Sequence, residues 1–169
     1  MMDDRARRIA LECKGFMHEE EGLRLHELAR NHAGLGPIVE IGSYCGKSAV
    51  YLGTGVREAG GVLVCVDHHR GSEENQAGWE YHDPEVVDPE CGKMDTLPWI
   101  RRTLERADLE RNVVLLVTDS VTAASLITGP IGMLFIDGGH SFESAFADYE
   151  AWSGKISRGG ILAIHDLFP

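Results

Sequence analysis

The sequence predicts an α/β domain built on a parallel β-sheet with helices on both faces. Five apolar runs, at about Ile38–Ile41, Val62–Val66, Val113–Thr118, Ile131–Ile136 and Ile161–Ile164, alternate with segments of helical periodicity. The runs lack polar alternation, as suits strands buried on both faces. Each strand closes on an acid: Glu40, Asp67, Asp119, Asp137 and Asp166. Right-handed crossovers would bring those five ends to one rim, the rim at which open α/β sheets bind ligands.

The elements follow in order. A helix is expected from about Asp3 to Phe16, with Ile9, Ala10, Cys13 and Phe16 at helical spacing. A second, from about Glu19 to His32, carries a stripe of Leu23, Leu25, Leu28 and Ala29. Residues 1–36 form these two helices, a lid or simple packing, and residues 37–169 form the sheet domain. The first strand leads through a glycine-rich turn into a helix from about Lys47 to Glu58, stopped by Gly60-Gly61. After the second strand, residues 68–93 make a long polar loop holding His68, His69, Trp79, Tyr81 and His82; loops of this length in compact domains are usually functional. Further helices are expected at about Asp95–Ala107, from Ser120 to Ile127, and at Phe142–Ser153. The last presents Phe142, Ala145, Phe146, Tyr149 and Trp152 on related faces. Lys155–Gly160 reads as a turn before the fifth strand.

Composition narrows the function. The formal net charge is −11, from 16 basic and 27 acidic residues, which argues against nucleic acid as a partner. No apolar run approaches the roughly 20 residues that span a bilayer, so no membrane partner is expected. The four cysteines, Cys13, Cys45, Cys65 and Cys91, have no CxxC spacing, and a reducing cytoplasm fits them.

The turn after the first strand, Glu40-Ile-Gly-Ser-Tyr-Cys-Gly-Lys-Ser48, admits three readings. A phosphate-binding P-loop is the first, with Leu134-Phe-Ile-Asp137 as its acidic strand, but the two glycines are one residue too close for GxxxxGK[ST]. A dinucleotide site is the second, but Tyr44 stands where GxGxxG has its second glycine. In the third, the carboxylate of Glu40 at a strand tip repels phosphate and attracts an ammonium, while the helix start behind it suits a carboxylate.

The pattern ExGxxxG, with acids ending the second and third strands, resembles the class I S-adenosylmethionine (SAM)-dependent methyltransferase family, over about Pro37 to Asp166. The resemblance implies a Rossmann-like sheet and SAM as cofactor. It implies that Glu40, Gly42, Ser43, Tyr44, Lys47 and Ser48 line the methionine end of the donor. By the same resemblance Asp67 takes the ribose hydroxyls, with His68 flanking; Asp119 and Ser120 meet the adenine edge; Asp137 lies near the sulfonium. Phe135-Ile-Asp-Gly-Gly-His-Ser-Phe-Glu143 and Gly159-Gly-Ile-Leu-Ala-Ile-His-Asp166 resemble the branch acting on oxygens of small molecules and sugars, a small-molecule acceptor. In metal-assisted members, acids after the fourth and fifth strands hold the ion. Asp137 and Asp166 match those positions and suit Mg²⁺, although His165-Asp166 departs from the usual pair.

His140 is the candidate general base, with helix capping as the alternative. His165 reads as a packed strand residue. His69, His82, Trp79 and Tyr81 could wall an acceptor site, and Cys45 reads as a loop filler. The family adds a helix and two strands after the fifth strand, which are missing here. The fifth strand would then offer an open edge for more chain or for a partner subunit in a homo-oligomer.

Overall fold

The strand Ile38–Ile41 (β1) is apolar on both faces except at Glu40, and it lies at the centre of the sheet. The computed structural model describes residues 2–165 apart from 73, 74, 77, 80, 81 and 140. Five parallel strands run in the order β3 (Val113–Leu116), β2 (Leu63–Val66), β1, β4 (Ile131–Ile136), β5 (Ile156–Ile164). Ile41 stands level with Val66 and Ile136, Val66 with Leu116, and Ile136 with Ile164, so the strand ends share one rim.

Alternate side chains of each strand feed two cores. Ile38, Leu63, Cys65, Val113, Met133 and Phe135 face α1 (Asp4–Glu12), α2 (Glu19–His32), α3 (Lys47–Ala59) and α4 (Leu97–Arg106). Val39, Ile41, Val64, Val66, Leu134 and Ile136 face α5 (Ser120–Leu126) and α6 (Phe142–Trp152). The middle layer of the first core is α3, buried from Ser48 to Val56 and covered by α1 and α2. The α2–α3 contact is close because Gly22 lies against the ring of Tyr51; a Cβ there would meet that ring at 2.3 Å. None of the described helices is long and apolar enough to cross a membrane.

Three expectations change. The first helix ends at Glu12, so Lys14, Gly15 and Phe16 form a strap leading into α2. The expected turn at Lys155–Gly160 is largely strand: β5 starts at Ile156, which pairs with Ile131, and the ladder slips register before Met133–Ile161. Gly159, at φ +83°, absorbs that irregularity, so glycines that read as a turn instead make a bulge. On α6, Trp152 is fully buried, whereas Phe142 and Phe146 stack on each other facing solvent. The inward face of α6 carries Asp148 with Trp152 at i,i+4 spacing.

Candidate active site

At the rim, β1 turns sharply. Gly42 has φ +85°, and a Cβ there would lie 2.2 Å from the Asp137 carbonyl oxygen, so only glycine lets the turn pass the end of β4. Gly46, at φ +93°, caps the start of α3. Between them Tyr44 also holds a positive φ, of 45°. The carboxylate of Asp67, at the end of β2, fastens this strained turn. Its Oδ2 accepts from the backbone N–H of Ser43 (3.0 Å) and Tyr44 (2.9 Å), and its Oδ1 from His69 N–H (2.7 Å). The N–H groups that a P-loop would turn toward phosphate are thus already directed at a carboxylate.

Glu40 lies beneath the turn with 0% exposure, and neither of its carboxylate oxygens has a hydrogen-bond partner of sound geometry among the described residues. Burial pushes its carboxyl up to about 8; nearby Ser48 and Cys65 oppose the rise, and the charges of Asp137 and Asp67 add to it. Ser43 Oγ, also buried, is likewise without a hydrogen-bond partner among the described residues. Orphaned acceptors under a glycine turn form a site that a cationic group would satisfy, so these residues fit the ammonium of SAM.

Two adjoining cavities open from the turn and share Gly42, Tyr44, Ser72, Asn75, Asp137 and Gly138. The larger, about 310 Å³, runs past Asp67 and His68 to Asp119, Ser120 and Asp148. The smaller, about 160 Å³, is walled by Lys14, Phe16, Met17, Ser43, Lys47, Ser48 and His165. Every donor-lining residue expected from the sequence therefore borders one or both cavities, except Glu40 beneath them.

Several of these groups are committed within the protein. Asp119 caps α5, accepting from Thr122 N–H at 2.8 Å, and that hydrogen bonding holds its carboxyl below the usual range. Ser120 Oγ accepts the Trp152 indole N–H at 2.8 Å. Asp137 Oδ1 lies 3.2 Å from His165 Nδ1, whose other nitrogen is 3.5 Å from Glu21. The candidate base His140 and the candidate metal ligand Asp166 lie outside the described residues. Among the described residues no three His, Cys, Asp or Glu side chains converge as a metal site.

The expected aromatic and histidine wall divides. His69 is buried and bonded through Nδ1 to Thr96 Oγ1 at 2.8 Å, and burial lowers its pKa, so it anchors the loop as a neutral ring. Trp79 is 61% exposed, His82 bonds to the Asn75 carbonyl, and Tyr81 lies outside the described residues. Cys45 is a loop filler: burial pushes its thiol up to about 12, far from a thiolate nucleophile. Sequence reasoning missed Asp148, whose burial raises its carboxyl. It also missed the strap, where Lys14 Nζ lies 2.6 Å from both Asp83 Oδ2 and Glu85 Oε2. An acid on the inward side of a helix that also carries Trp152 was the available signal for Asp148.

A family model described as a methyltransferase domain matches residues 39–167. Among solved structures, the fold is similar to cofactor-bound Rv0187 from MTB, at 21% identity and TM-score 0.66, covering 96% of this chain and 65% of that one. It is similar to the O-methyltransferase TomG from Streptomyces achromogenes in complex with SAM, at 20% identity and TM-score 0.63, covering 97% and 66%. It is also similar to an O-methyltransferase from Bacillus cereus in complex with SAH, at 20% identity and TM-score 0.64, covering 95% and 65%. The chain thus spans slightly under two thirds of the length of these structures.

Proposed function

The chain belongs to the methyltransferase-domain family, and from that premise we propose that it is a SAM-dependent methyltransferase acting on an oxygen of a small polar or saccharide-like acceptor. The observation that carries this reading is Glu40: a fully buried carboxyl whose oxygens have no hydrogen-bond partner of sound geometry among the described residues, beneath a turn whose Ser43 and Tyr44 N–H groups point at Asp67. That arrangement suits a cationic amino-acid nucleoside and opposes a polyphosphate.

When bound, SAM supplies a methyl group on a sulfonium for in-line displacement. In this reading Glu40 attracts the ammonium, and Ser43, Lys47 and Ser48 hold the methionine carboxylate at the start of α3. Asp67 keeps the turn in shape, and the remaining acceptor capacity of its Oδ1, with His68, faces the ribose. The smaller cavity, with Phe16, Met17 and His165 on its wall, supports an acceptor of modest size. His140 is the proposed base for the acceptor hydroxyl. Magnesium at Asp137 and Asp166 remains a separate proposal, and no step above depends on it. Four free cysteines support a reducing, cytoplasmic setting.

Calorimetry with S-adenosylhomocysteine (SAH), repeated with Mg²⁺ and set against ATP and GTP, tests the reading. Micromolar SAH binding with no nucleotide triphosphate binding is expected. Triphosphate binding in place of SAH would overturn it. SAH affinity and methyl transfer that ignore both Mg²⁺ and a chelator would remove the metal.

A further inference from the structure

The far end of the larger cavity holds a carboxylate that the donor motifs do not include. Asp148, on the inward face of α6, is 6% exposed and lines the cavity beside Ser120 and Gly138. Its Oδ2 is close enough to Gly138 that a Cβ there would lie 3.2 Å away. Its neighbours are ordered: Trp152 donates its indole N–H to Ser120 Oγ at 2.8 Å, so the Ser120 hydroxyl proton is free to turn toward Asp148 and partly offset its burial. The two polar side chains expected at this end are otherwise engaged, Asp119 as the α5 cap and Ser120 with the indole.

Resting on the donor reading above, we propose that Asp148 determines base specificity by accepting a hydrogen bond from the exocyclic amine of the donor's purine. A buried carboxylate offers lone pairs and selects a ring edge bearing N–H. A 6-oxo purine presents an oxygen at that point, leaving two acceptors facing each other in a site screened from water. Ser120, held by the Trp152 indole and adjoining Asp148 on the cavity wall, acts as a positioning residue for the carboxylate.

The test compares SAH with its 6-oxo analogue, S-inosylhomocysteine, and its N6,N6-dimethyl analogue, by calorimetry on the full chain. Wild type should bind SAH about 10- to 100-fold more tightly than either analogue. Asp148→Asn, which can present its amide N–H₂ to an oxo group, should bring SAH and the 6-oxo analogue to within about threefold, and Ser120→Ala should narrow the gap part of the way. A wild type that binds all three ligands alike overturns the inference while leaving the donor reading intact, and this needs no variant to fold. An Asp148→Asn protein, folded by its thermal melt, that keeps the full preference overturns it too. A wild type that binds none of the three defeats the donor reading and this inference with it.

Discussion

The backbone N–H of Tyr44 donates to Asp67 Oδ2 at 2.9 Å, joining the turn after β1 to the end of β2. Tyr44 holds a positive φ, which for a residue other than glycine costs about 1–3 kcal/mol, and this hydrogen bond with its Ser43 companion offsets that strain. Asp67→Ala should therefore destabilise the fold by about 1–3 kcal/mol and weaken SAH binding at least tenfold. Asp67→Asn keeps one acceptor for the turn but turns its amide toward the His69 N–H. It should retain more stability than affinity. Denaturant melts beside calorimetry separate the two effects, and equal losses for both variants in both measurements would contradict the argument.

Gly42 permits no side chain. A Cβ would stand 2.2 Å from the Asp137 carbonyl oxygen at a φ of +85°. Neither strain can relax cheaply, because the obstructing atom is backbone at the end of β4. Gly42→Ala should lose roughly 3 kcal/mol or more of stability and abolish SAH binding, because the turn and Asp137 are forced apart. Gly34→Ala, where a Cβ meets nothing within 4 Å, is the control and should be near neutral. Wild-type SAH affinity in Gly42→Ala would show that the turn is not part of the site.

The strand-end acids were legible because parallel strands buried on both faces read as unbroken apolar runs, and the first polar residue marks the rim. That logic located Glu40, Asp67 and Asp137. It failed where pairing is long-range. His69 meets Thr96 across 27 residues and Lys14 meets Asp83 across 69, and no local period records either contact. It also placed Asp119 and Ser120 at the rim without revealing their engagement by Thr122 and Trp152. At β5, the glycines of Arg158-Gly159-Gly160 signal a turn locally, but pairing with β4 overrides that signal.

Lys14 ties the strap between α1 and α2 to the long loop through Asp83 and Glu85, at the mouth of the smaller cavity. Its ammonium also lies 5.3 Å from the Trp99 ring centroid. With the pair partly exposed, Lys14→Ala should cost no more than about 1 kcal/mol of stability. Its effect on binding should be larger in relative terms, a few-fold loss of SAH affinity, because an untethered strap must be ordered by the ligand. Raising the ionic strength should weaken wild-type binding toward the variant's level and leave the variant nearly unchanged. A salt dependence identical in both proteins would dissociate the strap from the site.

Glu40 makes stability depend on pH in a direction opposite to that of most paired carboxylates. Burial lifts its folded-state pKa to about 8 from an ordinary value near 4.5. The folded chain therefore holds a proton that the unfolded chain releases between those two values. The contribution is fully present below about pH 4.5 and is lost as pH rises toward 8, with an upper limit of roughly 5 kcal/mol. Glu40→Gln carries no titrating group and should remove this slope, becoming the more stable protein at pH 8 while wild type keeps an advantage near pH 5. The same substitution should weaken SAH binding at pH 8, where wild-type Glu40 is poised to ionise against the ligand's ammonium, and should matter less near pH 6, where Glu40 is neutral in the free protein. Denaturant melts of both proteins from pH 5 to 8 check the first expectation. Parallel curves would mean that Glu40 is ionised throughout and already satisfied by a partner in the free protein, and the case for a carboxyl left unsatisfied until the ligand's ammonium arrives would fall with it.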